Sequence, residues 1–408
     1  MKPLLIGLLA FTTPDPFPGE PPTPAGRFEA IRRDWRSHVD EMKATAARLS
    51  TNEAIRRHHE AGEPREHALY ARALDLAEGH PDDPAAVDAL AWVVYRGVPP
   101  ERGKALRRII GHHAASPRLK PALHFISMRR HHLQVDADLY ETLLREVLAK
   151  NPDRDCRGLA CLRLGQLARL RAEALVRLDQ FPDHYRAIYR GHGLGPKDLE
   201  KLRERTPVDL AREAERRFER TVAEFADVKD WFDPGREDVS LGSLGDGAGK
   251  ELREVRDLAI GKVAPAIEGR DIDGASLKLA DHRGKVVALV FWGSWRGPCM
   301  AEVPGERALV KRLEGRPFVL LGINGGENDR EQARRVVRDE GITWRSWWDG
   351  TTQDGPIASR WNVDAWPTTY VLDAQGVIRF KDLRGDQLGQ AVDSLLEKMG
   401  KPDGGVDP

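Results

Sequence analysis

Cysteine is scarce in this chain, which has three in 408 residues, at Cys156, Cys161 and Cys299. Three thiols are too few for the disulfide framework that stabilises small secreted domains. Cys156 and Cys161 lie five residues apart in a segment with helical patterning, so they lie on different sides of a helix and a local bridge is not expected. We expect those two to be core or surface thiols, and only Cys299 lies where thiol chemistry is expected.

The sequence also lacks an excess of charge of either sign, because 64 Lys and Arg residues balance 64 Asp and Glu residues. A neutral chain gives no electrostatic reason to bind nucleic acid or an anionic membrane surface. It has no run of about 20 apolar residues, the length that a helix needs to span a bilayer. Its hydrophobic content of 40% and its length predict two or three globular domains.

The first 26 residues have the pattern of an export signal followed by a linker. Lys2 precedes a short apolar run, Leu4 to Phe11, and prolines are frequent from Thr12 to Pro24. This pattern predicts an extracytoplasmic, periplasmic location. No clean small-x-small cleavage site follows the run, so a cytoplasmic protein with a disordered start is the alternative.

Residues 27–232 have apolar side chains at helical spacing and predict an α-helical domain. Pro81, Pro117 and Pro152 each separate two helical runs and stand about 35 residues apart, a spacing that favours helix hairpins stacked as degenerate tetratricopeptide-like units. A single helical bundle is the alternative architecture. Such a domain would either bind a protein or serve as a spacer or docking base.

Three histidine doublets in this region, at positions 58–59, 112–113 and 131–132, do not predict a metal site. Neighbouring side chains on a helix diverge by about 100°, and no H-x-x-x-H or C-x-x-C pattern supports them. We therefore expect neither a metal nor a cofactor.

Residues 233–260 are rich in Gly and Asp and predict a hinge. From residue 261 to 400 the pattern changes to strands alternating with helices, which predicts an α/β domain. Val286–Trp292 and Pro317–Ile323 read as buried strands on either side of a helix at Cys299–Leu313.

The remaining elements of this domain can also be predicted from local signals. Turns at Asp273-Gly274 and Gln375-Gly376 indicate two hairpins, and 328–340 and 387–398 read as helices. Residues 401–408 are expected to be a disordered tail. The whole chain is therefore predicted to be multidomain.

The segment "FWGSWRGPCMAEVP", residues 291–304, resembles the W-C-G-P-C active-site segment of TlpA/ResA-like thiol-disulfide oxidoreductases, which are grouped with the AhpC/TSA redoxin domains. Ala264-Pro265, Glu302 with Pro304, and "WPTTYVLDAQGVIRF" follow in the order of that family. The resemblance implies a thioredoxin fold for 261–400 and disulfide exchange with a protein or peptide client. It does not indicate the oligomeric state.

Arg296 occupies the position of the attacking cysteine in the family motif. Arginine is not a nucleophile at accessible pH, so the two-cysteine cycle is lost and only the resolving position, Cys299, remains. Cys299 is then either an inert, buried relic or a one-thiol redox site. Arg296 itself is either a neutral loss or a guanidinium that grips a carboxylate or phosphate.

A peroxiredoxin site is not expected, because P-x-x-x-[ST]-x-x-C would require Pro at 292 and Ser or Thr at 296. The resemblance also assigns a role to Glu302, which tunes thiol ionisation in the family. With one thiol gone, an ordinary carboxylate near a helix N-terminus explains Glu302 equally well.

The predicted binding groove comprises Trp295, Arg296, Pro298, Trp366 and Pro367. Pro367 matches the family's cis-proline, which leaves the preceding backbone free to pair with an extended peptide. Two functions therefore compete: an enzyme acting through Cys299, and a non-catalytic module that holds a protein with this groove and the helical array. Core packing is favoured over a ligand groove for five tryptophans: Trp344, Trp347, Trp348, Trp361 and Trp366.

Overall fold

The computed structural model describes residues 23–125, 136–191, 194–231 and 240–400. The chain divides into two compact units, Met1–Ala248 and Gly249–Pro408. Four predicted features lie outside the described residues: the signal-like start, most of the proline-rich segment, the histidine doublet at 131–132 and the tail at 401–408.

The first unit is helical over its described residues up to Phe225. Several helices begin at a threonine whose side chain accepts a hydrogen bond from the first turn, as Thr23, Thr51 and Thr206 do, which satisfies a backbone amide that has no partner within the helix. In chain order the helices are α1 (Pro24–Ala46), α2 (Asn52–Gly79), α3 (Pro84–Arg96), α4 (Glu101–Arg108), α5 (Lys120–Phe125), α6 (Ala137–Lys150), α7 (Arg154–Gln180), α8 (Pro182–Gly191), α9 (Pro196–Leu202) and α10 (Pro207–Phe225).

Helices that follow one another in sequence pack together in space. α1 packs on α2, α2 on α3, and α6 on α7, and α10 packs along α7. Pro81 and Pro152 lie between α2 and α3 and between α6 and α7, while Pro117 opens a short 3₁₀ turn before α5. The predicted helical domain is confirmed, and its tetratricopeptide-like repetition stays a prediction. None of the described helices is long and apolar enough to cross a membrane.

A buried ion cluster lies in the core of this unit. Asp230, on strand β1 (Lys229–Trp231), accepts two hydrogen bonds from Nη2 of Arg163, at 2.8 and 2.6 Å, and its Oδ1 lies 2.7 Å from Nδ1 of His124. All three side chains are buried. Burial by itself raises the pKa of Asp230, but His124 and Arg163 together hold that pKa below its ordinary value.

The prediction of a hinge at 233–260 is wrong for most of its length. Strand β2 (Ser240–Ser243) pairs with β1, and helix α11 (Leu244–Arg256) follows it directly. Ser243 and Asp246 form a reciprocal cap, because the Asp246 amide donates to Oγ of Ser243 and the Ser243 amide donates to Oδ2 of Asp246. This cap starts a helix despite the glycines; residues 233–239 lie outside the described ranges.

The second unit contains a five-stranded sheet. Its strands are β5 (Val286–Trp292), β6 (Phe318–Asn324), β7 (Ser346–Trp348), β8 (Thr368–Leu372) and β9 (Ile378–Lys381). Their order in the sheet is β7-β6-β5-β8-β9. β5 lies at the centre with all seven residues buried, parallel to β6 on one side and antiparallel to β8 on the other. β7 runs parallel to β6, and β9 antiparallel to β8.

The predicted βαβ unit and both hairpins are confirmed. β3 (Glu268–Arg270) and β4 (Ser276–Lys278) form the first hairpin, with Gly274 in its turn at φ +89°. Strand β7 and helix α14 were not predicted. The helices of this unit are α12 (Gly297–Arg312), α13 (Arg330–Asp339), α14 (Pro356–Arg360) and α15 (Asp386–Gly400), and α12 begins just past the carboxyl end of β5.

Candidate functional site

The motif segment forms a tight loop between β5 and α12. Glu327, only 1% exposed, accepts hydrogen bonds from the amide and the hydroxyl of Ser294, at 2.6 and 2.9 Å. Nε1 of Trp295 donates to the carbonyl of Gly325 at 2.9 Å. A Cβ at Gly293 would lie 2.2 Å from that Nε1, so only glycine fits there. These bonds fix the loop that presents position 296.

Arg296 is the N-cap residue of α12 and is exposed. Its Nε donates to the carbonyl oxygen of Trp366 at 3.3 Å. The Trp366-Pro367 peptide bond is cis, as the resemblance implied for this proline. The guanidinium therefore lies at the backbone edge that carries the cis-proline.

Cys299 lies in the first turn of α12 and is 2% exposed. Its amide donates to the carbonyl of Arg296 at 2.8 Å, so positions 296 and 299 are joined by the first turn of the helix. Burial raises the pKa of the Cys299 thiol, and the opposing effects of the Gly293 backbone and the Arg384 charge are smaller. The thiolate, which is the nucleophilic form, is therefore disfavoured.

Two carboxyl groups follow Cys299 on α12. Oε2 of Glu302 accepts a hydrogen bond from the amide of Gly385 at 2.9 Å, which ties α12 to the segment before α15. Glu306 is 6% exposed, and burial together with the neighbouring Glu302 raises its pKa to about 7, while Arg384 acts in the opposite direction. Glu306 is therefore protonated over part of the neutral range, unlike an ordinary glutamate.

The structure brings most of the predicted groove residues together. The rings of Trp295 and Trp366 meet edge to face with centroids 6.0 Å apart. Trp295, Arg296 and Pro298 are exposed, whereas Trp366 and Pro367 are buried, so those last two contribute backbone rather than side-chain surface. The expectation that the tryptophans pack in the core holds for four of the five: Trp344, Trp347, Trp361 and Trp366 are buried and Trp348 is half-buried.

Sequence reasoning missed three residues of the site. Glu327 anchors the loop from just past the carboxyl end of β6, and nothing in its local sequence indicates that contact. Arg384 donates to the carbonyl of Pro367 at 2.7 Å, so it bonds the backbone on the other side of the cis peptide. Glu306 was detectable, because Val303 and Leu309, three residues away on either side, define the buried face of α12.

The other two cysteines are free and buried in the helical unit, as core thiols. Burial raises the pKa of Cys156 to about 12 and also raises that of Cys161. Both sulfurs lie near backbone carbonyls, of Pro117 and Arg217, and not near each other's thiol. Neither has the exposure or the low pKa of a reactive cysteine.

A central parallel pair of strands, an antiparallel hairpin at one edge, a helix that starts at the motif and a cis-proline facing it define a thioredoxin-fold domain. A family model described as the AhpC/TSA family matches residues 260–381. The thiol-disulfide oxidoreductase ResA of Geobacillus kaustophilus (strain HTA426) is 30% identical over 142 residues, which are 35% of this chain and 79% of that protein.

A second relative, the thioredoxin-like protein YneN of Bacillus subtilis (strain 168), is 32% identical over 120 residues, which are 29% of this chain and 68% of that protein. The solved thioredoxin domain of a thiol-disulfide oxidoreductase from Bacteroides vulgatus is 26% identical, covers 34% of this chain and 99% of that one, and has a TM-score of 0.32. Through its C-terminal domain the chain belongs to the AhpC/TSA family, as a TlpA/ResA-like redoxin.

Proposed function

We propose that the C-terminal domain is a redox-degenerate member of the thiol-disulfide oxidoreductase family, which retains the fold and the cis-proline groove but does not turn over disulfides alone. The observation that supports this most strongly is the pairing of Arg296 at the attacking position with a Cys299 that is 2% exposed and has a raised pKa. Catalysis through the single thiol Cys299 is correspondingly disfavoured.

The electron balance leads to the same conclusion. Reducing one disulfide takes two electrons, which a working domain supplies by joining its own two thiols. Cys299 alone can displace one sulfur and form a mixed disulfide, but no second thiol in the motif can release the product. Glu302, whose carboxylate bonds the Gly385 amide, then acts as a structural tie.

Insulin reduction by dithiothreitol tests this proposal. Wild type is expected to add nothing to the uncatalysed rate, and Arg296→Cys is expected to produce a clear catalysed rate, because the loop, the helix N-terminus and the cis-proline are in place. Arg296→Ser is the matched control, since it removes the guanidinium without adding a thiol. Wild-type turnover that Cys299→Ala abolishes would overturn the proposal.

A second candidate, a non-catalytic module that binds a protein or peptide client, is favoured by the state of Arg296. Its Nε is held by Trp366, while Nη1 and Nη2 have no partner among the described residues, next to the exposed ring of Trp295. A guanidinium with a free edge suits a carboxylate. In this case the helical unit would add protein-binding surface. Binding of an acidic extended peptide, compared between wild type and Arg296→Ala, tests this candidate.

We also propose an extracytoplasmic location for the protein. Support comes from Lys2 and the apolar run Leu4 to Phe11, which have the pattern of an export signal. Mass spectrometry of the native protein identifies its N-terminal residue. We expect a mature N-terminus near the proline-rich segment. An intact Met1 in a cytosolic extract would contradict it.

A further inference from the structure

Five arginines line one groove in the helical unit. The groove has a volume of about 530 Å³, within the range of small-molecule sites. Four of its residues lie on α10 at spacings of three and four, so they share one face of that helix, and two reach it from α6 and from the turn before α10. The lining residues are Arg145, Arg205, Glu213, Arg216, Arg217 and Arg220.

Glu213 organises the arginines around it. Its Oε1 lies 2.9 Å from Nη2 of Arg145, its Oε2 lies 2.6 Å from Nη2 of Arg205, and Arg217 approaches to 3.7 Å. Glu213 is 8% exposed. Burial by itself raises its pKa, yet Arg205 and Arg145 hold that pKa below the ordinary value, so the carboxylate stays ionised and keeps the guanidiniums in position.

The residues that line the groove are mostly positive. Five guanidiniums line it together with one carboxylate, that of Glu213. Beside the groove, Glu141 pairs with Arg145 and with Arg171, and Glu224 pairs with Arg220. Because like charges in one cleft repel, this arrangement lowers stability unless an anion occupies it.

Arg216 indicates most clearly that the groove can take a further anion. It is exposed, lines the groove, and has no ion-pair or hydrogen-bond partner in the part of the chain that the structure describes. Its neighbours Arg145, Arg205, Arg217 and Arg220 are each held by a carboxylate. A pre-positioned set of guanidinium forks with one free member matches the geometry that binds a tetrahedral oxyanion at two or more oxygens.

We infer that this groove binds a small ligand that carries a phosphate group. A phosphate monoester has a charge of about −1.5 to −2 at neutral pH and three acceptor oxygens, which suits several guanidiniums at once. A monocarboxylate carries a single negative charge and two oxygens. The site lies wholly within the helical unit and does not depend on the proposed function of the C-terminal domain.

Isothermal titration calorimetry of the full chain tests the inference, with inorganic phosphate, pyrophosphate and citrate at one fixed ionic strength. We expect saturable binding of the phosphates by wild type, and a loss of at least about tenfold in affinity for Arg216→Gln. Arg212→Gln is the matched control: Arg212 is exposed on the same helix but does not line the groove. It should change the affinity by less than about twofold.

Arg216 contacts no described partner and lies among like charges, so Arg216→Gln without ligand should melt at or slightly above the temperature of wild type. A melting temperature that is not lowered separates lost binding from lost folding. Absence of saturable phosphate binding would overturn the inference. Equal weakening by Arg216→Gln and Arg212→Gln would also overturn it, since it would show only general charge attraction. Binding of citrate as tight as that of pyrophosphate would overturn the assignment to phosphate.

Discussion

Nε of Arg296 donates a hydrogen bond to the carbonyl oxygen of Trp366, the residue directly before cis-Pro367, over 3.3 Å. The substituted position of the motif is therefore in contact with the backbone beside the cis peptide. Arg384 bonds the next carbonyl, that of Pro367. Two guanidiniums from different parts of the chain thus bond the two carbonyls that flank this peptide bond.

This geometry predicts a preference for acidic peptides. Arg296→Ala should weaken binding of an Asp-containing extended peptide by roughly five- to tenfold, because the peptide carboxylate loses a charge-assisted hydrogen bond. Fluorescence anisotropy of a labelled peptide measures this. Arg296→Lys should restore the affinity only in part, since an ammonium lacks the planar fork.

The matched peptide control replaces Asp by Asn and should bind wild type and Arg296→Ala alike. If the Asp and Asn peptides bind wild type with equal affinity, the Arg296 guanidinium does not recognise the peptide carboxylate. The second candidate function then loses its support.

Glu306 makes the stability of the C-terminal unit depend on pH. Its pKa rises from an ordinary 4.5 to about 7 in the folded chain, so above pH 4.5 the unfolded chain releases a proton that the folded chain keeps. Stability should therefore fall as the pH rises from 4.5 to 7 and then level off. Glu306→Gln mimics the protonated form and should stabilise the unit at pH 8 by about 3 kcal/mol, with little effect at pH 4.

Thermal melts of both proteins at pH 4, 6 and 8 measure this effect. Glu314→Gln is the matched control, because it makes the same substitution at an exposed glutamate two residues past the end of α12. It should change the stability little at all three pH values. A constant difference between Glu306→Gln and wild type at all three pH values would show that the pKa of Glu306 is the same in the folded and the unfolded chain.

Parts of this site follow from the sequence, and parts cannot. Strand β5 was predicted with its observed bounds. Its run of seven apolar residues is too short for a typical buried helix and is rich in β-branched and aromatic side chains, which favours a strand buried on both faces. Arg296 and Cys299 lie at the N-terminus of α12, as predicted. Their relative position follows from the sequence because they are three residues apart, within one helical turn. The contact of Glu327 with Ser294 joins residues 33 positions apart, and that of Arg384 with Pro367 joins residues 17 positions apart. Local sequence patterns do not encode contacts over such separations.

The failed hinge prediction has a different cause. Gly and Asp are frequent in residues 233–249, a composition typical of loops, but the S-x-x-D cap at Ser243 and Asp246 starts a helix there. Leu244, Ala248 and Val255 are all buried, so α11 has an apolar face of its own. The neutral total charge likewise does not indicate where charges lie, because it averages over the arginines on one face of α10.

The buried cluster around Asp230 should dominate the stability of the helical unit. Asp230→Asn keeps the shape but removes the negative charge that faces Arg163, whose side chain is 1% exposed. Leaving a buried guanidinium without its counter-charge costs about 3–5 kcal/mol. Urea denaturation followed by far-UV circular dichroism measures the loss.

Asp227→Asn provides the comparison for this variant. Asp227 pairs with Arg154 on the surface, three residues before Asp230, and the same substitution there should leave the unfolding curve nearly unchanged. Similar losses in both variants would show that the environment of Asp230 is not what makes its charge important.

The C-terminal unit should fold alone, and α11 should decide how stable it is. The fragment 261–408 holds all five strands of the sheet and helices α12 to α15, enough for a cooperative core. The longer fragment 249–408 adds the end of α11, where the carbonyl of Lys250 accepts from Asn362, Arg253 donates to the same side chain, and Glu254 pairs with Lys381 over 2.8 Å.

The Glu254–Lys381 pair is largely buried, with side-chain exposures of 17% and 11%, so it is worth more than a surface ion pair. We therefore expect both fragments to be soluble and to unfold in one sharp thermal transition, with 249–408 more stable by about 1–3 kcal/mol. Glu254→Gln in the longer fragment should remove a large part of that difference. Aggregation or a broad melt of both fragments would show that the helical unit supplies part of the core, whereas equal stability would show that α11 contributes nothing to this unit.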